Sequence, residues 1–188
     1  TGLAINTTYY VRAYSINLNG HISYGDNQSF TTLQKVLEVK VEEGQSKLLG
    51  ASDPVFKFTI EGFEGTDDEK ILSGALSREP GETLGTYTIN QGTLDNSNYT
   101  ITFVGANLTI SKRAVTVTAD AKSKTYGDVD PSLTYQLTGS LKSGDAFTGA
   151  LTRVAGENAG DYNITQGTVA LNSNYTITFV GAKFTING

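Results

Sequence analysis

The sequence predicts a mainly β protein made of two tandem small β modules that follow a separate N-terminal hairpin. Threonine, valine, isoleucine, tyrosine and phenylalanine alternate with polar residues along most of the chain, which is the pattern of half-buried strands. The runs end at glycine or asparagine, the residues that turns favour. A repeat supplies the third observation, since the sequence NSNYTITFVGA occurs at 96–106 and again at 172–182.

The repeated unit spans about 76 residues, which is the offset between Tyr99 and Tyr175. The other matching segments are Asp53-Pro54 with Asp130-Pro131, Gly74–Arg78 with Gly149–Arg153, Gly81-Glu82 with Gly156-Glu157, and Gln91-Gly92-Thr93 with Gln166-Gly167-Thr168. We therefore divide the chain into residues 1–33, repeat 1 (34–111) and repeat 2 (112–188). Residues 34–112 hold 7 basic and 12 acidic residues and residues 113–188 hold 6 of each, so a fixed net charge is not a property of the unit.

Alternating apolar residues place strands in corresponding parts of the two repeats. In repeat 1 they are Leu37, Val39 and Val41, then Phe56, Phe58 and Ile60, then Tyr99, Ile101 and Phe103. In repeat 2 they are Val115, Val117 and Ala119, then Leu133, Tyr135 and Leu137, then Tyr162 and Ile164, then Tyr175, Ile177 and Phe179. The apolar parity flips at Val104-Gly105, where a hairpin turn or a glycine bulge would change the face. We favour a hairpin, with residues 107–110 as the returning strand.

Two short segments are helical candidates. One is Thr66–Ile71, which has an N-terminal Thr/Asp cap, and the other is Ser140–Ala146. The strand pattern fits either a small β-sandwich or a β-grasp-like sheet with a degenerate helix. Only the β-grasp-like arrangement places the first and last strands of each module side by side and parallel.

Residues 1–33 read as two strands, 9–16 and 24–32, around the turn at 17–20. The spacing of Leu3, Thr7, Tyr9, Val11 and Ala13 resembles the last hairpin of an immunoglobulin-like sandwich, as at the C-terminal end of a fibronectin type III domain. The resemblance implies that the Tyr9 hydroxyl bonds to the upstream backbone. It also implies that the hairpin lacks its sheet partners, so we expect it to be poorly ordered or to borrow an edge from repeat 1 or a neighbouring molecule.

The repeats carry motifs of a known family, most completely in repeat 2. They are Tyr126-Gly127-Asp128, Asp130-Pro131, Leu133-Thr134-Tyr135, Gly139, Ser143-Gly144-Asp145, Gly149, Gly160-Asp161-Tyr162, Gln166-Gly167 and Asn174-Tyr175. On these residues the unit resembles the MBG repeat domain of the YGX type, found in tandem in bacterial surface proteins. Repeat 1 departs from the pattern, with Leu49-Gly50 in place of Tyr126-Gly127 and an acidic segment, residues 65–69, in place of Ser143-Gly144-Asp145. Motif residues that one copy replaces are interpreted as structural.

The resemblance implies an exported, adhesin-like protein of the bacterial cell surface, and it carries no catalytic residues over to this chain. The leading hypothesis is a non-catalytic extracellular stalk or spacer. The alternative is that the repeats themselves bind a glycan or a host protein. The junction at Ser111-Lys112-Arg113 has no flexible spacer composition, so we expect the modules to be joined stiffly.

Composition argues against several kinds of chemistry. The chain has no cysteine and a single histidine, His21, which we place in a solvated turn, so neither repeat can form a Ser-His-Asp triad or a His-ligated or Cys-ligated metal site. Gly139 and Gly144 have the glycine spacing of a phosphate loop, but Asp145 replaces its lysine and would repel phosphate. We therefore predict no enzyme, no catalytic or cofactor-binding residues, no metal site and no cofactor.

Carboxylates and aromatic rings are the remaining candidates for binding. Glu42 and Glu43 are sequence neighbours and point to opposite faces of a strand, whereas Asp128 and Asp130 could share a face; we interpret all four as solvated. The cluster Asp67, Asp68 and Glu69 leaves calcium binding open, with a solvated helix start as the favoured interpretation. Most of the Tyr and Phe rings are assigned to the core, with Tyr10, Tyr14 and Tyr24 the least certain.

The net charge of −5 argues against a nucleic-acid partner, which requires a basic surface. No apolar run approaches the ~20 residues of a membrane span, so we expect no membrane insertion in this fragment. A glycan or a protein remains the partner class to test.

Overall fold

A computed structural model describes residues 2–188. Contacts along the chain divide it into two compact units. One comprises residues up to Gln45 with Val55–Gly81 and Tyr87–Leu108, and the other comprises Ser46–Pro54, Glu82–Thr86 and Thr109–Gly188. The protein is mainly β, as the sequence predicts, and its elements are described repeat by repeat.

Repeat 2 contains seven strands. They are β12 (Arg113–Ala119), β13 (Lys122–Thr125), β14 (Tyr135–Thr138), β15 (Thr152–Arg153), β16 (Gly160–Thr165), β17 (Tyr175–Val180) and β18 (Ala182–Asn187). They form a three-stranded sheet of order β14-β12-β17 and a four-stranded sheet of order β13-β18-β16-β15. Each sheet therefore contains one strand from the start of the repeat and one from its end.

The first and last strands of repeat 2 are parallel neighbours. The ladder between β12 and β17 runs from Arg113↔Tyr175 to Thr118↔Val180, and the ladder between β13 and β18 runs from Lys122↔Phe184 to Thr125↔Asn187. This is the pairing that the β-grasp-like alternative predicts. The other ladders, β12 with β14, β16 with β18 and β15 with β16, are antiparallel.

The predicted hairpin at Val104-Gly105 is wrong. In repeat 2 the chain leaves β17 at Val180, bends at Gly181 and continues as β18 in the second sheet. A Cβ at position 181 would lie 2.8 Å from the Ile164 carbonyl oxygen, so glycine lets β16 approach the bend closely. At the corresponding bend in repeat 1, a Cβ on Gly105 would lie 2.7 Å from the Ile89 carbonyl oxygen. The parity flip in the sequence marks this change of sheet.

Repeat 1 has the same order of elements. Its strands are β5 (Lys35–Val41), β6 (Gln45–Leu48), β7 (Phe58–Glu61), β8 (Ser77–Arg78), β9 (Gly85–Asn90), β10 (Tyr99–Val104) and β11 (Asn107–Ser111). Their sheet orders are β10-β5-β7 and β6-β11-β9-β8. β5 and β10 are parallel, from Lys35↔Tyr99 to Lys40↔Val104.

The alternating residues that predict the strands also fill the core. In repeat 2 a buried cluster contains Ala119, Leu151, Ile164, Val169, Phe184 and Ile186. In repeat 1 the buried cluster is Val41, Ile89, Ala106 and Leu108. Burial of these side chains supplies the main driving force for folding of each repeat.

The helical candidates are mostly not realised. The first one contracts to a single 3-10 turn, Glu69–Ile71, with Asp68 as the N-cap accepting a hydrogen bond from the Lys70 backbone N–H. The second, Ser140–Ala146, is not helical; the Asp145 N–H donates to the Lys142 carbonyl in a turn instead. Glycine at position 144 disfavours helix there.

The N-terminal segment forms β1 (Thr8–Val11), β2 (Tyr14–Ile16), β3 (Ile22–Tyr24) and β4 (Gln28–Thr31). β1 pairs with β4 and β2 with β3, so the expected hairpin is present with a break after Val11. Within residues 2–188 it adds to no sheet of either repeat, contrary to the expectation of a borrowed edge. The Ala4 N–H donates to the Tyr9 hydroxyl over 2.7 Å, which is the expected tie to the upstream backbone.

Candidate functional site

The densest group of charged side chains in repeat 2 is a cluster of two cations and two anions, Lys124, Asp130, Arg153 and Glu157, called here the ion cluster. Lys124 extends from β13 and is 4% exposed at its side chain. Its Nζ lies 2.8 Å from Asp130 Oδ1 and 2.6 Å from Glu157 Oε2. The ammonium group is therefore held between two carboxylates.

Arg153, on the short strand β15, completes the ion cluster. Its Nε and Nη2 donate to the two oxygens of Asp130 over 2.6 and 3.1 Å, which is a bidentate pairing. Nη2 also donates to Glu157 over 2.7 Å, and Nη1 donates to the Gly156 carbonyl over 2.7 Å. The guanidinium lies 4.8 Å from the centre of the Phe184 ring, so the cluster sits against the core.

Mutual pairing holds all four groups in their charged forms. Hydrogen bonds from Arg153 and then Lys124 lower the pKa of Asp130 to about 2. Lys124 and Arg153 likewise lower the pKa of Glu157. Hydrogen bonds to Asp130 and Glu157 raise the pKa values of Lys124 and Arg153.

Repeat 1 has the same residue types at the corresponding positions. Lys47, on β6, is also 4% exposed at its side chain, and its Nζ lies 2.6 Å from both Asp53 Oδ1 and Glu82 Oε2. Burial alone lowers the pKa of Lys47, but the hydrogen bonds and charges of Asp53 and Glu82 outweigh it and raise the pKa. Arg78 matches Arg153 in sequence and also donates Nη1 to a nearby glycine carbonyl, that of Gly81, over 2.7 Å.

The charge state of the ion cluster argues against chemistry. A general acid or base requires a pKa near the working pH, whereas these values are displaced away from neutrality. A lysine between two carboxylates could in principle condense with one of them to an amide, losing water. That step needs a neutral amine and a protonated carboxyl group, and Arg153 keeps Asp130 ionised. The arrangement is suited to joining β13, β15 and the two loops that carry Asp130 and Glu157.

A second arrangement recurs in both repeats at the start of the last long strand. Tyr99 donates its hydroxyl proton to Asp67 over 2.5 Å and accepts from the Glu64 N–H over 3.0 Å. Tyr175 donates to Asp145 over 2.6 Å and accepts from the Lys142 N–H over 2.8 Å. Burial and then the Asp67 carboxylate raise the pKa of Tyr99 to about 12.

This tyrosine–aspartate pair explains part of the acidic segment for which calcium was left open. Asp67 accepts from Tyr99, and Asp68 caps the 3-10 turn and pairs with Lys70 over 3.3 Å. Among residues 2–188 no group of three His, Cys, Asp or Glu side chains is arranged to hold a metal ion. Asp145, assigned to a turn by the sequence, is the counterpart of Asp67.

The other residues singled out by the sequence are not brought together. His21 is exposed in the loop between β2 and β3, where its N–H donates to Asn17 Oδ1 over 3.0 Å. Gly139 and Gly144 have φ values of 101° and 90° and lie at turns. Glu42, Glu43 and Asp128 are exposed. Asp130 was interpreted as solvated, and this is wrong because it pairs with Lys124 and Arg153.

The aromatic side chains divide as the sequence indicates. Tyr99, Tyr175 and Phe184 are buried, whereas the tyrosines assigned with least certainty are exposed on the N-terminal hairpin: Tyr10, Tyr14 and Tyr24. Tyr126 is 62% exposed, but its counterpart Leu49 is 4% exposed. The described residues therefore contain no exposed tyrosine cluster common to both repeats.

Sequence reasoning missed Lys47 and Lys124. It matched the other charged positions between the copies, Asp53 with Asp130, Arg78 with Arg153 and Glu82 with Glu157, but attached no role to them. The signal was available, because Lys47 and Lys124 are 77 positions apart, as are Asp53 and Asp130. A neutral set of two cations and two anions is thus shared by repeats whose net charges differ.

Comparison with known families agrees with this duplicated arrangement. The family model for the MBG domain (YGX type) matches residues 37–109 and again residues 115–185. No match is found among curated proteins. The two matches cover most of the chain and coincide with the two sets of repeated strands. The chain therefore belongs to the MBG domain (YGX type) family and contains two tandem copies of that domain.

Proposed function

We propose that the two repeats are non-catalytic spacer modules of an adhesin-like protein on the bacterial cell surface. Repeats of this family suggest a surface-protein repeat, and the family is not a known enzyme family. No helix among the described residues has the length and apolar character needed to cross a membrane. An extracellular position for the modules is part of the proposal.

The observation that carries the proposal is the use of the shared polar side chains inside each module. In both repeats a buried lysine is paired with two carboxylates, and a buried tyrosine is bonded to an aspartate. In the described part of the chain every buried side-chain nitrogen or oxygen has a hydrogen-bond partner. What the copies share is thus directed at holding the module together, which is what a spacer requires.

A binding array tests the proposal against its main rival, recognition of a glycan or host protein by the repeats. The 188-residue chain is labelled and applied to glycan and host-protein arrays, with calcium and with a chelator. The spacer function predicts no saturable binding in either condition. Saturable binding that is lost in a Tyr126→Ala variant would contradict it and make repeat 2 a recognition module. A Tyr135→Phe variant, altered at a half-buried ring, is the matched control.

We extend the proposal to residues 1–33 as the last two strands of a fibronectin type III-like domain. The Tyr9 tie to Ala4 supports it. The exposure of the hairpin's large apolar side chains, which include Val11, Ile16 and Ile22, supports it as well. Two-stranded sheets are marginal alone, so the amides of β1–β4 should exchange with solvent much faster than those of β12 and β17. Equal protection would show that the hairpin needs no further sheet.

A further inference from the structure

We infer that each module is built to resist stretching along the chain, because tension applied through its ends shears a parallel ladder of strands. The inference deepens the proposed spacer function and rests on it for its biological setting. Its physical content rests on the strand order and register of repeat 2 alone. The two are tested by different measurements.

The ends of repeat 2 lie at opposite ends of its parallel ladder. The chain enters the module at Arg113, the first residue of β12, and leaves it after Asn187, the last residue of β18. The paired strands run in the same direction through both sheets, first β12 beside β17 and then β13 beside β18. Pulling the two chain ends apart therefore slides β12 and β13 along β17 and β18.

Shear loads the hydrogen bonds of a ladder together, whereas peeling from one end loads them one after another. A single hydrogen bond contributes only about 1 kcal/mol net to stability, so bonds that are broken singly offer little resistance. When they must break together, the barrier to unfolding reflects the whole ladder. Resistance to forced unfolding is governed by that barrier and its rate.

Further hydrogen bonds extend the ladder at both ends. At its start the Arg113 N–H donates to the Asn174 carbonyl over 3.0 Å. At its far end the Tyr126 N–H donates to the Asn187 carbonyl over 2.8 Å. Sliding of β12–β13 along β17–β18 requires these bonds to break together with the ladder itself.

The side-chain arrangements shared by the repeats hold the same strands. The ion cluster joins Lys124, on β13, to the loops that carry Asp130 and Glu157. The tyrosine–aspartate pair fixes the first residue of β17 to the turn at 142–145. In repeat 1 the parallel register of β5 with β10 is the same as that of β12 with β17, so the argument applies to its first sheet as well.

Single-molecule stretching in two geometries tests the inference. The natural chain has no cysteine, so a pair of engineered cysteines gives two unique attachment points in the full 188-residue protein. Lys112→Cys with Gly188→Cys places the handles at opposite ends of the ladder. Asp128→Cys with Gly188→Cys places both handles at the same end. The three substituted positions are exposed, and equal urea midpoints for the two variants establish equal folding stability.

At equal loading rate, the opposite-end variant should unfold at a clearly higher force and in one step. At about 3.6 Å per extended residue, that step releases roughly 270 Å of chain, against roughly 220 Å for the same-end variant, which identifies repeat 2 as the unfolding module. Equal forces in the two geometries, or a higher force for the same-end variant, would overturn the inference. Array binding would contradict the spacer function and leave this result unchanged, so the two failures are distinguishable.

Discussion

Tyr99 donates its hydroxyl proton to Asp67 over 2.5 Å, and the identical relationship between Tyr175 and Asp145 recurs in the second module at 2.6 Å. In each case the tyrosine is the first residue of the strand that pairs in parallel with the start of the module. The aspartate lies in the segment where the sequence suggested a helix or a calcium ligand. A single bond thus fixes the irregular segment to the last long strand.

The first prediction concerns this bond. Tyr99→Phe removes the hydroxyl and leaves the Asp67 carboxylate and the Glu64 N–H without that partner, in a place where the tyrosine is 2% exposed. Loss of a buried, charge-assisted hydrogen bond should lower the free energy of unfolding by about 1–3 kcal/mol. Urea denaturation measures the change. Tyr126→Phe, at a 62% exposed ring, should be neutral; a neutral Tyr99→Phe would contradict the prediction.

The ion cluster predicts a specific acid dependence. The pKa of Asp130 is about 2 in the folded module against its ordinary 3.8, so ionised Asp130 stabilises the fold above about pH 4. That contribution should be lost as the pH falls from about 4 towards 2, because the unfolded chain takes up the proton first. The stability difference between the natural protein and Asp130→Asn should therefore narrow over this range. Asp128→Asn, at an exposed carboxylate, is the control; a pH-independent difference for Asp130→Asn would count against the pairing.

Gly149 provides a test of close packing between segments. Its φ is +78°, and a Cβ there would lie 2.0 Å from the Thr168 carbonyl oxygen. Gly144 has a comparable φ of +90° and open space around the same position. Gly149→Ala should therefore lower the urea midpoint much more than Gly144→Ala, which bears only the cost of the left-handed backbone. Equal shifts would show that the approach of the Thr168 backbone is not a constraint.

The chemical inertness of the ion cluster is testable by intact mass. Lys47 and Lys124 each lie within hydrogen-bond distance of two carboxylates, but both lysines have raised pKa values. The mass of the purified, denatured protein should therefore equal that of the sequence. A mass lower by one or two molecules of water would show that amide bonds form between these side chains, and peptide mapping would locate them.

Much of the fold could be predicted from local pattern. Alternation of apolar residues located the strands around Val117, Tyr135 and Ile177, and the internal repeat located both modules. The parity flip at Val104-Gly105 was detected but misread, because a hairpin and a bend into a second sheet change the buried face in the same way. Which of the two occurs depends on how closely β9 or β16 approaches the glycine, and that contact is remote in sequence.

The ion cluster could not be assembled from local pattern for a similar reason. Lys124 and Glu157 are 33 residues apart and meet only because β13 and the loop after β15 are brought together by the second sheet. The helix expected over Ser140–Ala146 failed because glycine at 144 favours a turn there, and because the Lys142 N–H is committed to the Tyr175 hydroxyl. Both outcomes depend on tertiary contacts that propensity does not contain.

The parallel pairing of the first and last strands is the central claim of this account, and disulfide trapping tests it most directly. Thr116 and Thr178 are registered partners on β12 and β17, whereas Thr118 is registered with Val180 and lies diagonal to Thr178. In the cysteine-free chain, Thr116→Cys with Thr178→Cys should oxidise to an intrachain disulfide and raise stability by about 4 kcal/mol. Thr118→Cys with Thr178→Cys should oxidise poorly, because diagonal neighbours are about 7 Å apart. Preferential oxidation of the diagonal pair, or of neither pair in folded protein, would contradict the parallel register.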